Sequence, residues 1–221
     1  VKFAVIPTNG RDCLEQCLDA IVPQVDFVYL IRTSPDVFPD FVHKHLAGRK
    51  IGWAYTYCDA VNISCWWNQG LETVAMLAEI EKKETWDVAV INDDVIVPSG
   101  WFEAVAIGLR KFDCAAACSG GHPGVSDSVL LTPVAVPLEV RMQGFAFMLA
   151  GEKRLRADER FQWWAGDDDL DWRSREAGGM NMVGGYPVEH LYPNGQVTPE
   201  LQECIARDMA YFVDKWGRRP W

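Results

Sequence analysis

The sequence predicts an α/β fold built on a doubly wound, mostly parallel sheet flanked by helices, and two observations predict it. Four short runs, Phe3–Pro7, Phe27–Ile31, Ile51–Tyr57 and Val88–Ile91, are apolar on both faces, as strands buried in a parallel sheet are. Stretches of helical periodicity separate them, and strands alternating with helices make a sheet covered on both sides. Ligands of such sheets bind beyond the carboxyl ends of the strands. The residues to inspect are therefore Thr8-Asn9, Arg32-Thr33-Ser34, Asp59 and Asn92-Asp93-Asp94.

The first run ends at the turn Thr8-Asn9-Gly10, where Asp12 with Glu15 three residues on signals a helix start. Cys13, Leu14, Cys17, Leu18 and Ile21 give that helix one apolar face. The second run leads to a helix near Phe38–Leu46. The third leads to a helix over Trp66–Lys82, with Leu71, Val74, Leu77, Ala78 and Ile80 turned to the core. After the fourth, Pro98-Ser99-Gly100 opens a helix over Trp101–Phe112. Beyond Cys114 the pattern changes. Ser119–Ser128 is rich in Gly and Ser, and Val129–Val140 and Met142–Leu149 read as strands of a mixed extension to the sheet. A helix follows from Asp167 to Ala177 and stops at Gly178-Gly179, a strand pair carries His190, and Pro199–Trp216 is an amphipathic helix. No repeat or low-complexity linker interrupts residues 1–221, which read as one domain with halves 1–120 and 121–221.

Composition disfavours several classes of partner. The net charge is −10 and no long Lys/Arg run is present, which argues against a nucleic-acid polymer and against an anionic membrane surface. Lys153-Arg154-Leu155-Arg156 is short enough for a solvated loop. No apolar stretch approaches the about 18 residues of a membrane span. Val1–Pro7 reads as a strand, not as a leader. The seven cysteines include no C-x-x-C pair, and Cys13/Cys17 and Cys114/Cys118 stand one helical turn apart. They read as reduced core residues of a cytoplasmic protein. Ten tryptophans include the pairs Trp66-Trp67 and Trp163-Trp164, suited either to a core or to a platform for a flat ligand.

Neither glycine-rich phosphate fingerprint is present. Asn92-Asp93-Asp94 supplies another way to hold a phosphate. Adjacent carboxylates at a strand end repel, and a hard divalent cation relieves the repulsion while binding a diphosphate. An ordinary acidic turn fits the same residues. The second constellation is Trp163-Trp164-Ala165-Gly166-Asp167-Asp168-Asp169-Leu170-Asp171-Trp172-Arg173. Asp169/Arg173 and Asp171/Arg175 are i,i+4 ion pairs worth about 0.2–0.5 kcal/mol each on an exposed helix. Asp167 or Asp168 can cap the helix. One cap does not need both, which leaves a carboxylate for general-base work. His190 is either a satisfied strand-end residue or a ligand to a metal such as Mn2+.

In this order the pieces resemble the GT-A-type glycosyltransferases, particularly the large family 2, over roughly Lys2 to His190. Val5-Ile6-Pro7-Thr8-Asn9-Gly10-Arg11 is similar to that family's first strand and its Pro-Thr-x-Asn-Arg turn. Trp67-Asn68-Gln69-Gly70 resembles its Asn-x-Gly segment, and Ile91-Asn92-Asp93-Asp94-Val95 with Pro98 its Asp-x-Asp motif, with Asn in first place. Gly166-Asp167-Asp168-Asp169-Leu170-x-x-Arg173 resembles its Glu-Asp-x-Asp-Leu-x-x-Arg helix. The resemblance implies a GT-A-like fold and inverting transfer from a nucleoside-diphosphate sugar to an acceptor hydroxyl, with Mn2+ or Mg2+ as cofactor. Residues 1–120 would be the nucleotide-sugar half and 121–221 the acceptor half. Asp94 and His190 would hold the metal. Pro7, Thr8, Asn9, Arg11, Arg32, Asn68, Asn92 and Asp93 would line the nucleotide-sugar site. Asp167 aligns with the family's base, with Asp168 and Asp169 as alternatives, and Trp163 or Trp164 is expected to face the acceptor.

The departures bear on specificity. Ile31-Arg32-Thr33-Ser34-Pro35-Asp36 lacks the acid that usually contacts the base, so a UDP-sugar donor rests on the resemblance alone, and Gly166 replaces the family's Glu. The acceptor class is open. A sugar-phosphate nucleotidyltransferase shares the donor side, but Thr8-Asn9-Gly10-Arg11 is a poor version of its glycine-rich basic loop. A non-catalytic glycan- or nucleotide-binding module is the alternative of another class.

Overall fold

A computed structural model describes residues 1–34, 42, 51–58, 60–120, 128–133, 141–192 and 197–220. The four apolar runs become strands β1 (Lys2–Thr8), β2 (Phe27–Arg32), β3 (Ile51–Tyr55) and β4 (Asp87–Ile91), paired parallel in the order β3-β2-β1-β4. The sheet continues through β8 (Ala146–Ala150), antiparallel to both its neighbours, to β6 (Ala116–Ser119), β9 (Met180–Val183) and the edge strand β7 (Val129–Leu131). The result is the expected parallel half with a mixed extension. A separate ribbon joins β5 (Val95–Ile96) to β10 (Glu189–His190), pairing His190 with Val95.

Helices cover both faces because the strands are apolar on both. One face packs Ala4, Ile6, Leu30, Ala89 and Ile91 under α1 (Cys13–Ile21) and α3 (Trp101–Lys111). The other packs Phe3, Val5, Val88, Val90 and Phe147 under α2 (Ile63–Ile80). The five residues predicted for the apolar face of α1 are its five buried residues. A third cluster, Phe161, Ala165 and Phe212 with Trp172 and Trp216, joins α4 (Gly166–Glu176) to α5 (Pro199–Trp216).

Several local expectations change. Asp12 has helical backbone angles and makes no capping hydrogen bond. Helix α2 begins earlier than its periodicity suggested, because Asn62 Oδ1 accepts from Cys65 N at 2.9 Å. Leu71, Val74 and Ala78 are core residues of α2 as expected, whereas Ile80 is exposed. Strand β3 stops at Tyr55, where the Gln69 amide takes Tyr55 O at 2.7 Å and Tyr57 N at 3.2 Å. Residues 141–145 form a turn instead of the start of a strand, since Met142 N is taken by Asp171 Oδ2 at 3.1 Å and Ala146 N by Gln143 O at 3.1 Å. Cys13, Cys17, Cys114 and Cys118 are free and buried as predicted, but Cys58 and Cys65 form a disulfide. The helix expected near Phe38–Leu46, most of the run to Val140, and Asp36 and Asp59 lie outside the described residues. Among the described residues no helix is long and apolar enough to cross a membrane.

Gly70 is where α2 comes closest to the sheet: a Cβ there would overlap the Val5 side chain in the middle of β1. Alanine is the better helix former by about 1 kcal/mol, but both backbones are anchored and the core has no room. Gly70→Ala is expected to destabilise the protein by about 1–3 kcal/mol despite its propensity advantage, measured by chemical denaturation.

Candidate active site

Strand β4 ends in Asn92-Asp93-Asp94, and both aspartates are 4% exposed. Adjacent buried carboxylates need opposite charge close by, and the first strand supplies it to Asp93. Thr8 Oγ1 donates to Asp93 Oδ2 at 2.8 Å and accepts from Gly10 N at 2.9 Å. That bond holds the turn so that Arg11 reaches back, its NH2 group pairing with Asp93 Oδ1 and standing 3.3 Å from Asp94 Oδ2. Both oxygens of Asp93 are thereby occupied. Asp94 is left open. His190 Nε2 lies 3.3 Å from its Oδ1, which has no aligned hydrogen-bond partner. The β5–β10 ribbon fixes this approach, with Leu191 N donating to Asp94 O at 2.9 Å. Burial works to raise the Asp94 carboxyl, but His190 and Arg11 outweigh it and hold it below its ordinary value.

The residues present fit a hard divalent cation. Neighbouring ligands about 2.1 Å from an octahedral metal lie about 3 Å apart, close to the separation of Asp94 Oδ1 and His190 Nε2. Among the described residues no third His, Cys, Asp or Glu completes a cluster. Two protein ligands with diphosphate and water oxygens are an ordinary set for Mg2+ or Mn2+.

Helix α4 sorts its four aspartates in the same way. Asp169 is closed by Arg173 Nε at 2.8 Å, Trp216 Nε1 at 2.9 Å and Lys215 Nζ at 2.7 Å. Asp171 is closed by Arg175, 2.7 and 2.8 Å away, and by Met142 N. The two predicted i,i+4 pairs exist; Asp171–Arg175 is buried and Asp169–Arg173 is half-buried. Neither Asp167 nor Asp168 caps the helix, whose N-cap is Ala165 in the left-handed region with φ 54°. Asp168 is buried with Arg141 NH1 at 3.1 Å, and Asp167 lies over Gly144 so closely that a Cβ there would overlap it. Burial raises both carboxyls, and the Asp167 charge raises Asp168 further against the pull of Arg141. The pair retains a proton in the range where an isolated aspartate is ionised.

One short turn joins the two constellations. Gly144 carries Asp167, and the next residue, Phe145, stacks its ring on His190 with centroids 4.6 Å apart and accepts Asn92 N on its carbonyl at 2.9 Å. Gly144-Phe145 therefore meets Asp167 on one side and His190, beside Asp94, on the other. Arg141 and Gly144 were missed. A lone glycine inside an apparent strand marks a close approach, and Gln143-Gly144 carried that signal.

The other predicted residues are placed differently. Pro7 is buried within β1, opposite Ile31, and Asn9 is exposed at the turn. Arg32 ends β2 under Tyr55 and Trp53, its guanidinium carbon 4.2 and 5.2 Å from their ring centres. Asn68 is bonded to the 157–159 segment: its amide group donates to Ala157 O at 2.9 Å and to Glu159 Oε1 at 2.8 Å, and its oxygen accepts Ala157 N at 2.8 Å. Trp164 is 41% exposed and Trp163 half-buried.

No protein-family model matches the sequence, and no curated protein matches it. Solved structures do. Over 97% of this chain and 66% of that one, the fold superposes on Staphylococcus aureus TarS residues 1–349 in complex with UDP, with a TM-score of 0.67 at 12% identity. The same fragment in complex with UDP-GlcNAc gives a TM-score of 0.62 at 11% identity over 96% of this chain and 66% of that one. Against another TarS structure the TM-score is 0.64 at 10% identity, covering 84% of this chain and 36% of that one. The chain thus spans about a third of that TarS chain. The fold is the GT-A-like α/β fold of these neighbours.

The raised carboxyls of Asp167 and Asp168 link stability to pH. The folded state keeps a proton that the unfolded chain releases above about pH 4, so the stability present in acid is lost as pH rises through the folded values. Asp168→Asn removes the share of this loss that belongs to Asp168. It is expected to raise Tm at pH 8 by about 2–4 °C, the effect of ~1 kcal/mol in a domain of this size. In melting curves near pH 4 the difference should vanish.

Proposed function

We propose that the chain is a family 2-like glycosyltransferase that moves a sugar from a nucleoside-diphosphate sugar to an acceptor hydroxyl, with inversion at the anomeric carbon. The observation that carries the proposal is the shared turn: an open carboxylate with a histidine beside it, and an acid pair with raised carboxyls, on either side of Gly144-Phe145. TarS, which has the same fold, is seen with UDP and with UDP-GlcNAc, and we take a UDP-sugar as the donor. The resemblance of four ordered motifs to family 2 supports the same reading.

In this mechanism residues 1–120 bind the donor and 121–221 the acceptor. Arg32 at the end of β2 borders the nucleoside. Asp94 and His190 would hold Mn2+ or Mg2+, which when bound neutralises the diphosphate as a Lewis acid. Arg11 and Thr8 keep Asp93 neutralised, so the carboxyl edge does not repel that diphosphate. Asn92 borders the same group. The acceptor oxygen attacks the anomeric carbon as the bond from that carbon to the diphosphate oxygen breaks, and Asp167 takes the hydroxyl proton. Asp168 shares the proton and tunes its partner. The exposed indole of Trp164 packs against the acceptor and keeps water from the reacting hydroxyl.

Calorimetry with UDP tests the donor side: affinity is expected to rise in Mn2+ over chelator by at least tenfold, about 1.4 kcal/mol, and Asp94→Ala should erase the gain. Equal affinity in both would remove the metal assignment. Turnover of UDP-GlcNAc, with water as default acceptor, tests the chemistry. Asp167→Asn is expected to bind UDP normally and lose about 10²–10⁴-fold in kcat. Tight UDP binding with no turnover by the parent would instead identify a binding module.

A further inference from the structure

We propose that Asp208, on helix α5, is a positioning residue for the acceptor side: it clamps the Trp163-Trp164 turn and thereby aims the acid-bearing helix α4. The inference rests on the glycosyltransferase reading above and adds to it an element that does not touch substrate.

Asp208 is 2% exposed and has no ion-pair partner among the described residues. Its Oδ2 instead accepts two consecutive backbone N–H groups, from Trp163 at 2.7 Å and from Trp164 at 2.8 Å. A buried carboxylate is costly without compensation, and two short charge-assisted bonds to one oxygen specify a position tightly. The next residue, Ala165, is buried in the left-handed region at φ 54°. A non-glycine residue stays there only when its surroundings over-determine it. Its carbonyl accepts Asp169 N at 2.9 Å, so the clamped turn runs straight into the first turn of α4.

Helix α5 takes a second hold farther along. Lys215 and Trp216 lie about two turns beyond Asp208, on the same face of the helix, and both donate to Asp169 Oδ1. Asp167 and Asp168 lie between the two grips in sequence. The loop before the turn is tied to the same helix, with Tyr211 OH on Asp158 Oδ2 at 3.0 Å and Arg207 on Gln162 Oε1 at 2.9 Å. None of these bonds involves Thr8, Arg11, Asp93 or Asp94. Shifting the clamp therefore moves the Trp164 indole and the Asp167 carboxyl relative to a donor site that stays in place.

Two substitutions separate position from charge. Asp208→Asn can put its carbonyl oxygen where Oδ2 was, whereas Asp208→Glu keeps the charge and displaces it by one methylene. Turnover of UDP-GlcNAc, with UDP affinity by calorimetry in parallel, is expected to stay near the parent in Asp208→Asn. In Asp208→Glu it should fall about 10–100-fold in kcat, the effect of a misplacement near 1 Å, with KM for the donor and UDP affinity unchanged. Parental kcat in Asp208→Glu, equal losses in both variants, or a matching loss of UDP affinity would overturn the proposal. A parent without turnover counts against the donor reading alone. The clamp is then judged by amide exchange at Trp163 and Trp164, which should speed up in Asp208→Glu; unchanged protection overturns it.

Discussion

The molecule is organised by the cost of burying carboxylates at the carboxyl edge of its sheet. Asp93 and Asp94 are adjacent, almost fully buried and alike in charge. In a low-dielectric site such a pair is stable only when something cationic or protic stands against it. The Arg11 guanidinium does so, and Thr8 sets the turn that delivers it. The outcome is a division of labour between neighbours in sequence. Asp93 is closed, while Asp94 keeps an oxygen without an aligned partner, facing an imidazole.

The same sorting recurs on α4, where four aspartates fall within five residues. Asp169 and Asp171 meet basic side chains and become links to α5 and to the 141–145 turn. Asp167 and Asp168 share the half-exposed Arg141 against their charge, and burial outweighs it, raising both carboxyls. Groups left half-compensated in this way are where perturbed proton affinity collects, which is also where acid–base chemistry is done. Gly144 and Phe145 link the two constellations, the first by having no side chain beneath Asp167 and the second by stacking on His190.

Much of the architecture could be read from the chain before any coordinates. Runs apolar on both faces, alternating with helical periodicity, point to a covered parallel sheet, and the apolar face of α1 followed from period alone. Asn92-Asp93-Asp94, the 167–171 acids and His190 were recognisable too, since chemistry of this kind needs specific residue types at strand and helix ends. Spacing along a chain, however, carries no record of which group neutralises which. That Arg11 closes Asp93 and leaves Asp94 open, that Asn68 spends its amide on Ala157, that Ala165 and not an aspartate caps α4, and that Asp208 grips two tryptophan amides are all contacts between segments distant in sequence. Local pattern determines elements because their periodicity is local, whereas the partner of each buried charge is chosen only once the elements have packed.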